Sequence, residues 1–211
     1  MSANETNDRF LRILILDVDD ALQRHRLDGN QQNRRTLLRT TFAAIEGVVW
    51  SFRKHVTDIA RSTGEMTQID EFAFSETNYQ INDQGKVVRQ PRFVSLQQSI
   101  RLTTRLASRL NTKVDIRFNT SGWDALLKSV KVRNRITHPK SKDDLHIGDA
   151  EAEACLDALF WLLEAIANGM GAANAALALH TADFRNTLNA LNRGDTKTWT
   201  AYREALLADD D

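Results

Sequence analysis

The chain has 211 residues, 42% hydrophobic and 27% charged, and its 28 basic and 28 acidic side chains cancel to zero net charge. That composition describes an ordinary globule, one domain with an appendage, and no whole-molecule field announces a nucleic-acid partner. No uninterrupted apolar run approaches the roughly eighteen residues of a membrane span, and the first eight residues lack the basic and apolar regions of a secretory signal, so the expected location is the cytoplasm.

Only two prolines and several long periodic stretches predict a mainly helical, all-α chain. Phe10, Ile13, Leu14, Val18 and Leu22 trace a first helix that the Asp28-Gly29-Asn30 break ends. Leu37, Leu38, Phe42, Ile45, Val49, Phe52, Val56 and Ile59 trace a long second one. The next stretch, about 76–94, alternates apolar and polar residues around Asn82-Asp83-Gln84-Gly85 and reads as a small β-hairpin or irregular excursion. A third helix follows Ser95 as cap and carries Leu96, Ile100, Thr103, Leu106 and Leu110.

The fourth helix is expected from Gly122 to Thr137, on Trp123, Leu126, Leu127 and Val130. The fifth is expected to start at Asp149 as cap, with Glu151 and Glu153 opposing the helix dipole, and carries Leu156, Leu159, Phe160, Leu163 and Ile166. Cys155, the single cysteine, shares an apolar face with Ala152, Leu159 and Leu162, the position of a packing residue rather than a nucleophile. After Asn168-Gly169-Met170-Gly171 two shorter helices are expected. One is traced by Phe184, Leu188 and Leu191; the other, capped by Asp195, by Trp199, Tyr202 and Leu206. Their narrow stripes must dock on the bundle or on a second subunit.

The chemistry gathers at the end of the fourth helix, in Val132-Arg133-Asn134-Arg135-Ile136-Thr137-His138-Pro139-Lys140. Pro139 disfavours helix for the residue before it, so the helix should stop near Thr137 or His138 and leave the imidazole at a helix mouth. Arg133 offers a planar fork for phosphoryl oxygens, Asn134 an amide one turn before His138, and His138 a group that exchanges a proton near neutral pH. Such a set can hold a phosphodiester and move a proton, as cutting RNA without a metal requires. The alternative for His138 is a helix C-cap on the last carbonyls. Arg133 and His138 lie about 140° apart on an ideal helix, so they converge only if the last turn loosens.

Arg133-Asn134-x-x-x-His138 resembles the signature of HEPN domains, an arginine followed after four to six residues by a histidine, with a polar residue often next to the arginine. The likeness extends to Gly122-Trp123-Asp124-Ala125-Leu126, to His138-Pro139-Lys140-Ser141 and to Asp143-Asp144-Leu145, as in standalone bacterial members. It implies an up-and-down helical bundle over 1–168, with the hairpin inserted between the second and third helices and 169–211 as a C-terminal helical extension. It also implies a metal-independent endoribonuclease with no cofactor, a toxin or anti-phage defence effector with RNA as substrate. Two protomers would pair their motifs across one cleft, and a cognate antitoxin or sensor protein would restrain them. The alternative is a non-catalytic module binding RNA, a nucleotide or a partner protein.

Around the motif, Lys128, Lys131, Arg133, Arg135, Lys140 and Lys142 form a basic run with no acid until Asp143. It reads as a phosphate-binding patch or as a solvated helix face. Glu46 falls on the apolar side of the second helix, where a carboxylate is costly unless paired. The resemblance suggests that Glu46 holds Arg133 or fixes the tautomer of His138; otherwise it reaches solvent or pairs with Arg53 or Arg39. No pair of the five histidines has metal-site spacing, and there is no Gly-rich phosphate loop.

Overall fold

A computed structural model describes the backbone of residues 3–208 and the side chains of residues 9–205. Among these, the chain forms seven α-helices and one antiparallel hairpin. They are α1 (Ala3–Leu27), α2 (Gln31–Ser62), α3 (Gln68–Phe74), β1 (Thr77–Ile81), β2 (Val87–Pro91), α4 (Leu96–Leu110), α5 (Ser121–Thr137), α6 (Asp149–Asn192) and α7 (Thr196–Ala208), with a 3₁₀ turn at Asp143–Leu145. The side chain of Leu206 and those of the first eight residues lie outside the described residues.

Local chemistry sets most helix starts. The side chains of Asn30, Ser95 and Thr120 accept the backbone N–H of Asn33, Gln98 and Trp123, filling donors that a helix N-terminus leaves open. Ser95 and Gln98 cap each other reciprocally, as do Thr67 and Asp70 at α3. The expected cap of α6 moves by one residue: Gly148 is the cap, and Glu151 accepts its N–H at 3.1 Å. In the hairpin, Thr77 pairs with Pro91 and Ile81 with Val87, and Gly85 takes φ +73° in the turn.

α2 and α6 form the centre; α1 and α4 pack on α2, and α5 packs on α6. The fully buried Leu38, Ile45 and Phe52 of α2 meet Leu126 and Ile136 of α5 and Leu159 and Leu162 of α6 in one core. Each such side chain contributes about 1.5–3 kcal/mol of apolar burial. α2 and α6 run the same way, since Gln31 bonds Ile147, Phe52 touches Gly169 and His55 bonds Asn174. α1 and α5 run against them: Leu14 and Phe10 close on Gly47, and Gly122 lies under Trp161 while Arg135 reaches Glu151.

The strict alternation of an up-and-down bundle does not hold at α4. Leu96 and Ser99 sit beside Trp50 and Arg53, and Arg109 reaches the Glu65 carbonyl just beyond α2, so α4 runs parallel to α2. The excursion through α3 and the hairpin is long enough to carry the chain back from the end of α2 to the level of Trp50, which a short helix–helix turn cannot do.

The expected break at Asn168-Gly169-Met170-Gly171 is absent. α6 continues uninterrupted to Asn192, and the stretch through Phe184, Leu188 and Leu191 is its distal end. Gly169 is buried because a Cβ there would stand 3.0 Å from the Phe52 ring, so it serves close packing, not a turn. By length and average composition α6 is also apolar enough to cross a bilayer, a match that the search for uninterrupted apolar runs does not register. Its inner stripe, with Leu162, Ile166, Gly169 and Ala173, packs into the bundle.

Candidate functional site

α5 ends where Pro139 requires. Thr137 is its last residue, and His138 caps it at φ −124°, ψ 58°, its N–H donating to the Asn134 carbonyl at 3.0 Å. The final turn is therefore regular and does not loosen before the histidine. The His138 side chain is exposed and makes no hydrogen bond or ion pair among the described residues. The backbone beyond it is held: the Asp144 carboxylate accepts the N–H groups of Lys140 at 2.7 Å and Ser141 at 2.9 Å. Those bonds keep Asp144 below the usual carboxylate range.

One turn back, Arg133 donates to Glu46 Oε1 at 2.5 Å and to Asn134 Oδ1 at 3.2 Å, and its guanidinium lies over the Phe42 ring, 5.4 Å from the centroid. α2 supplies Glu46 and Phe42, and α5 supplies the arginine and the amide. Glu46 thus pairs with Arg133, not with Arg53 or Arg39, and does not touch His138. Arg53 pairs instead with Glu76, at the foot of the hairpin, and also donates to the Phe74 carbonyl.

These two ion pairs line a cleft of about 330 Å³ between α2, α4 and α5. Trp50 and Phe93 are among its apolar lining residues, and Ser99 and Asn134 add polar edges. Phe93 is 90% exposed and Trp50 51%. Of the residues singled out in the sequence, Arg133, Asn134 and Glu46 come together here; His138 lies beyond the cleft lining.

The basic run does not form one patch. Lys128 and Lys131 turn to the α6 side of the helix, where with Ser129, Val132 and Ala154 they line a second cavity of about 440 Å³. Lys140 and Lys142 are exposed in the loop after the helix. Arg135 lines that same cavity, but its fork is committed within the chain. It makes two bonds to Glu151, at 3.0 and 2.9 Å, and donates to the carbonyls of Asp144 at 3.2 Å and His146 at 2.7 Å. The guanidinium holds the Glu151 carboxyl below its ordinary value. Arg135 therefore organises the loop that follows the motif, and its fork is already occupied.

Cys155 is buried, and loss of hydration pushes its thiol up to about 12 against a weaker opposing bond from Ser129. A thiol so placed is inert. Sequence reasoning did not find Trp50, Phe93, Ser99 or the Arg53–Glu76 pair as parts of the site. Trp50 alone carried a signal, a large aromatic outside the apolar stripe of α2. The chain matches no family model, no curated protein and no solved structure.

Proposed function

We propose that the chain is a metal-independent endoribonuclease of the HEPN type, working in the cytoplasm as a homodimer. The observation that carries this reading is the exposed, unpartnered imidazole of His138, mounted one turn past the Arg133–Asn134–Glu46 cluster. In this mechanism His138 takes the proton of an RNA 2′-hydroxyl or gives one to the leaving 5′-oxygen, and Arg133 answers the charge that gathers on the phosphoryl oxygens. Glu46 fixes the guanidinium, using one of its donors and leaving others for phosphate. Because His138 lies outside the cleft that holds Arg133, the reaction needs the histidine of a second protomer to complete the pair. A toxin or anti-phage role, and an antitoxin or sensor that restrains it, rest on the family resemblance alone.

The test is incubation of the protein with RNA in EDTA. Cleavage is expected to leave 2′,3′-cyclic phosphate and 5′-hydroxyl ends, and to fall by about 10²–10⁴-fold in His138→Ala. Arg133→Ala should also lose most of the rate. Undiminished cleavage by both variants rejects this site as the source of the activity.

The pairing of Arg133 with Glu46 favours a second reading, binding without turnover, because part of the arginine's charge is already answered. RNA would then be retained intact and released steeply with salt.

A further inference from the structure

The cleft beside Arg133 has an odd composition for a phosphate site. Its two arginines are each matched by a glutamate, Arg133 by Glu46 and Arg53 by Glu76, so its formal charge sums to zero and only the donors those pairs leave unused face a phosphate. Its mouth, by contrast, displays two large aromatic rings. Trp50 is half exposed, in a T-shaped contact with Phe10 at a centroid separation of 5.8 Å, and Phe93 is 90% exposed. Exposed aromatics flanking a charge-balanced, mostly apolar slot favour a flat, uncharged ring over a phosphoryl group.

We propose that this cleft is a nucleobase subsite that takes one unpaired purine of the RNA strand, guanine in preference to adenine, between Trp50 and Phe93; that the strand is RNA rests on the ribonuclease reading. The volume, about 330 Å³, falls at the small end of ligand cavities and suits a single base, not a stacked pair. The polar edges select among bases. Each glutamate spends Oε1 on its arginine and keeps Oε2 free of any hydrogen-bond donor among the described residues. Both carboxylates stand at the cleft edge, 47% exposed; a carboxylate oxygen takes N–H donors, and guanine presents two side by side, its ring N–H and its exocyclic amino group. The Asn134 amide group, whose oxygen is taken by Arg133, still has its N–H donors for guanine O6. Adenine places an acceptor where guanine carries its ring N–H, against the carboxylate. A base inside a duplex cannot enter such a slot, so the subsite accepts only a nucleotide splayed out of the stack. Its place beside Arg133 then sets the adjoining phosphate against that guanidinium, where the histidine of a second protomer would meet it.

The experiment is calorimetric titration of the full chain, in EDTA, with guanosine 5′-monophosphate, adenosine 5′-monophosphate and ribose 5-phosphate. Saturable binding is expected for the guanine nucleotide, weaker binding for the adenine one and none for the sugar phosphate. Phe93→Ala and Trp50→Ala should each weaken guanine-nucleotide binding roughly ten-fold or more, the loss of a stacking surface. Phe93 is so exposed that its removal leaves the fold unchanged, whereas Trp50→Ala is checked by circular dichroism. Equal binding of ribose 5-phosphate and the guanine nucleotide overturns the subsite, as does unchanged binding in Phe93→Ala. RNA cleavage measured alongside separates the two readings. Cleavage without guanine-nucleotide binding removes the subsite and leaves the ribonuclease standing; the binding pattern above without cleavage does the reverse.

Discussion

Among single residues, Asp70 shows how a carboxylate can be both buried and stabilising. Arg109 donates to both its oxygens, at 3.2 and 2.5 Å, and Thr67 adds backbone and hydroxyl donors at 3.0 and 2.5 Å. The arginine bond is the main reason its carboxyl is held at about 2, below an ordinary 3.8, against an opposing cost of burial. Because the folded value is depressed, the contribution to stability is complete above the unfolded value and disappears as pH falls from about 4 through about 2. Arg109 is partly solvated, so the contribution is discounted to about 1–2 kcal/mol. Asp70→Asn is expected to lower stability at pH 7 by that amount in urea unfolding and to narrow its gap from the parent at pH 2. The Thr67-x-x-Asp70 cap was present in the sequence, but the partner lies 39 residues away on α4, a distance no local pattern spans.

Between elements, the α5–α6 contact depends on a missing side chain and on one arginine. A Cβ on Gly122 would stand 2.2 Å from Cγ and 2.4 Å from Cβ of Trp161, atoms near the backbone that cannot swing away. Gly122→Ala is therefore expected to cost about 1–3 kcal/mol, seen as a lower urea midpoint. At the other end of the same contact, Arg135→Ala removes four hydrogen bonds, leaves Glu151 with only the Gly148 N–H and frees the loop after the motif. A loss of about 1–3 kcal/mol is expected. Measured as a melting temperature, that loss separates Arg135 from a phosphate-binding residue, whose removal would weaken RNA binding and leave stability unchanged.

The same elements show what the sequence could say. Periodicity located α1, α2, α4 and α5 because each carries a continuous apolar stripe, and Pro139 placed the end of α5 by steric exclusion alone. α3 escaped notice because it has seven residues and leaves Ile69 and Phe72 exposed, so no stripe forms. Gly169 misled because a glycine needed for close packing looks the same in sequence as one needed for a turn. Arg135 was grouped with free cations because its carboxylate partner, Glu151, belongs to another helix.

At the scale of the whole molecule, the sequence made the mainly helical class and the hairpin legible, but not the direction of α4, which depends on where a long excursion delivers the chain. Of the candidate site, it brought forward Arg133, Asn134 and Glu46, which the fold assembles, together with His138, which stands apart. The cleft walls were hidden because Trp50, Glu76, Phe93 and Ser99 come from α2, the hairpin and α4 and meet only in three dimensions. If one protomer's His138 serves the other's Arg133, activity must depend on association. The expected result is a specific activity that rises with protein concentration and levels off where sedimentation shows the dimer complete; constant activity across the monomer range excludes a shared centre.

The clasp of Asp144 on the Lys140 and Ser141 amides has a mechanical corollary. His138 is mounted between the rigid rod of α5 and a pinned bend, so backbone drift is denied to it and its ring swivels only about its own two side-chain bonds. A proton carrier on such a gimbal sweeps a small, repeatable arc, and whatever it serves must be delivered within that arc.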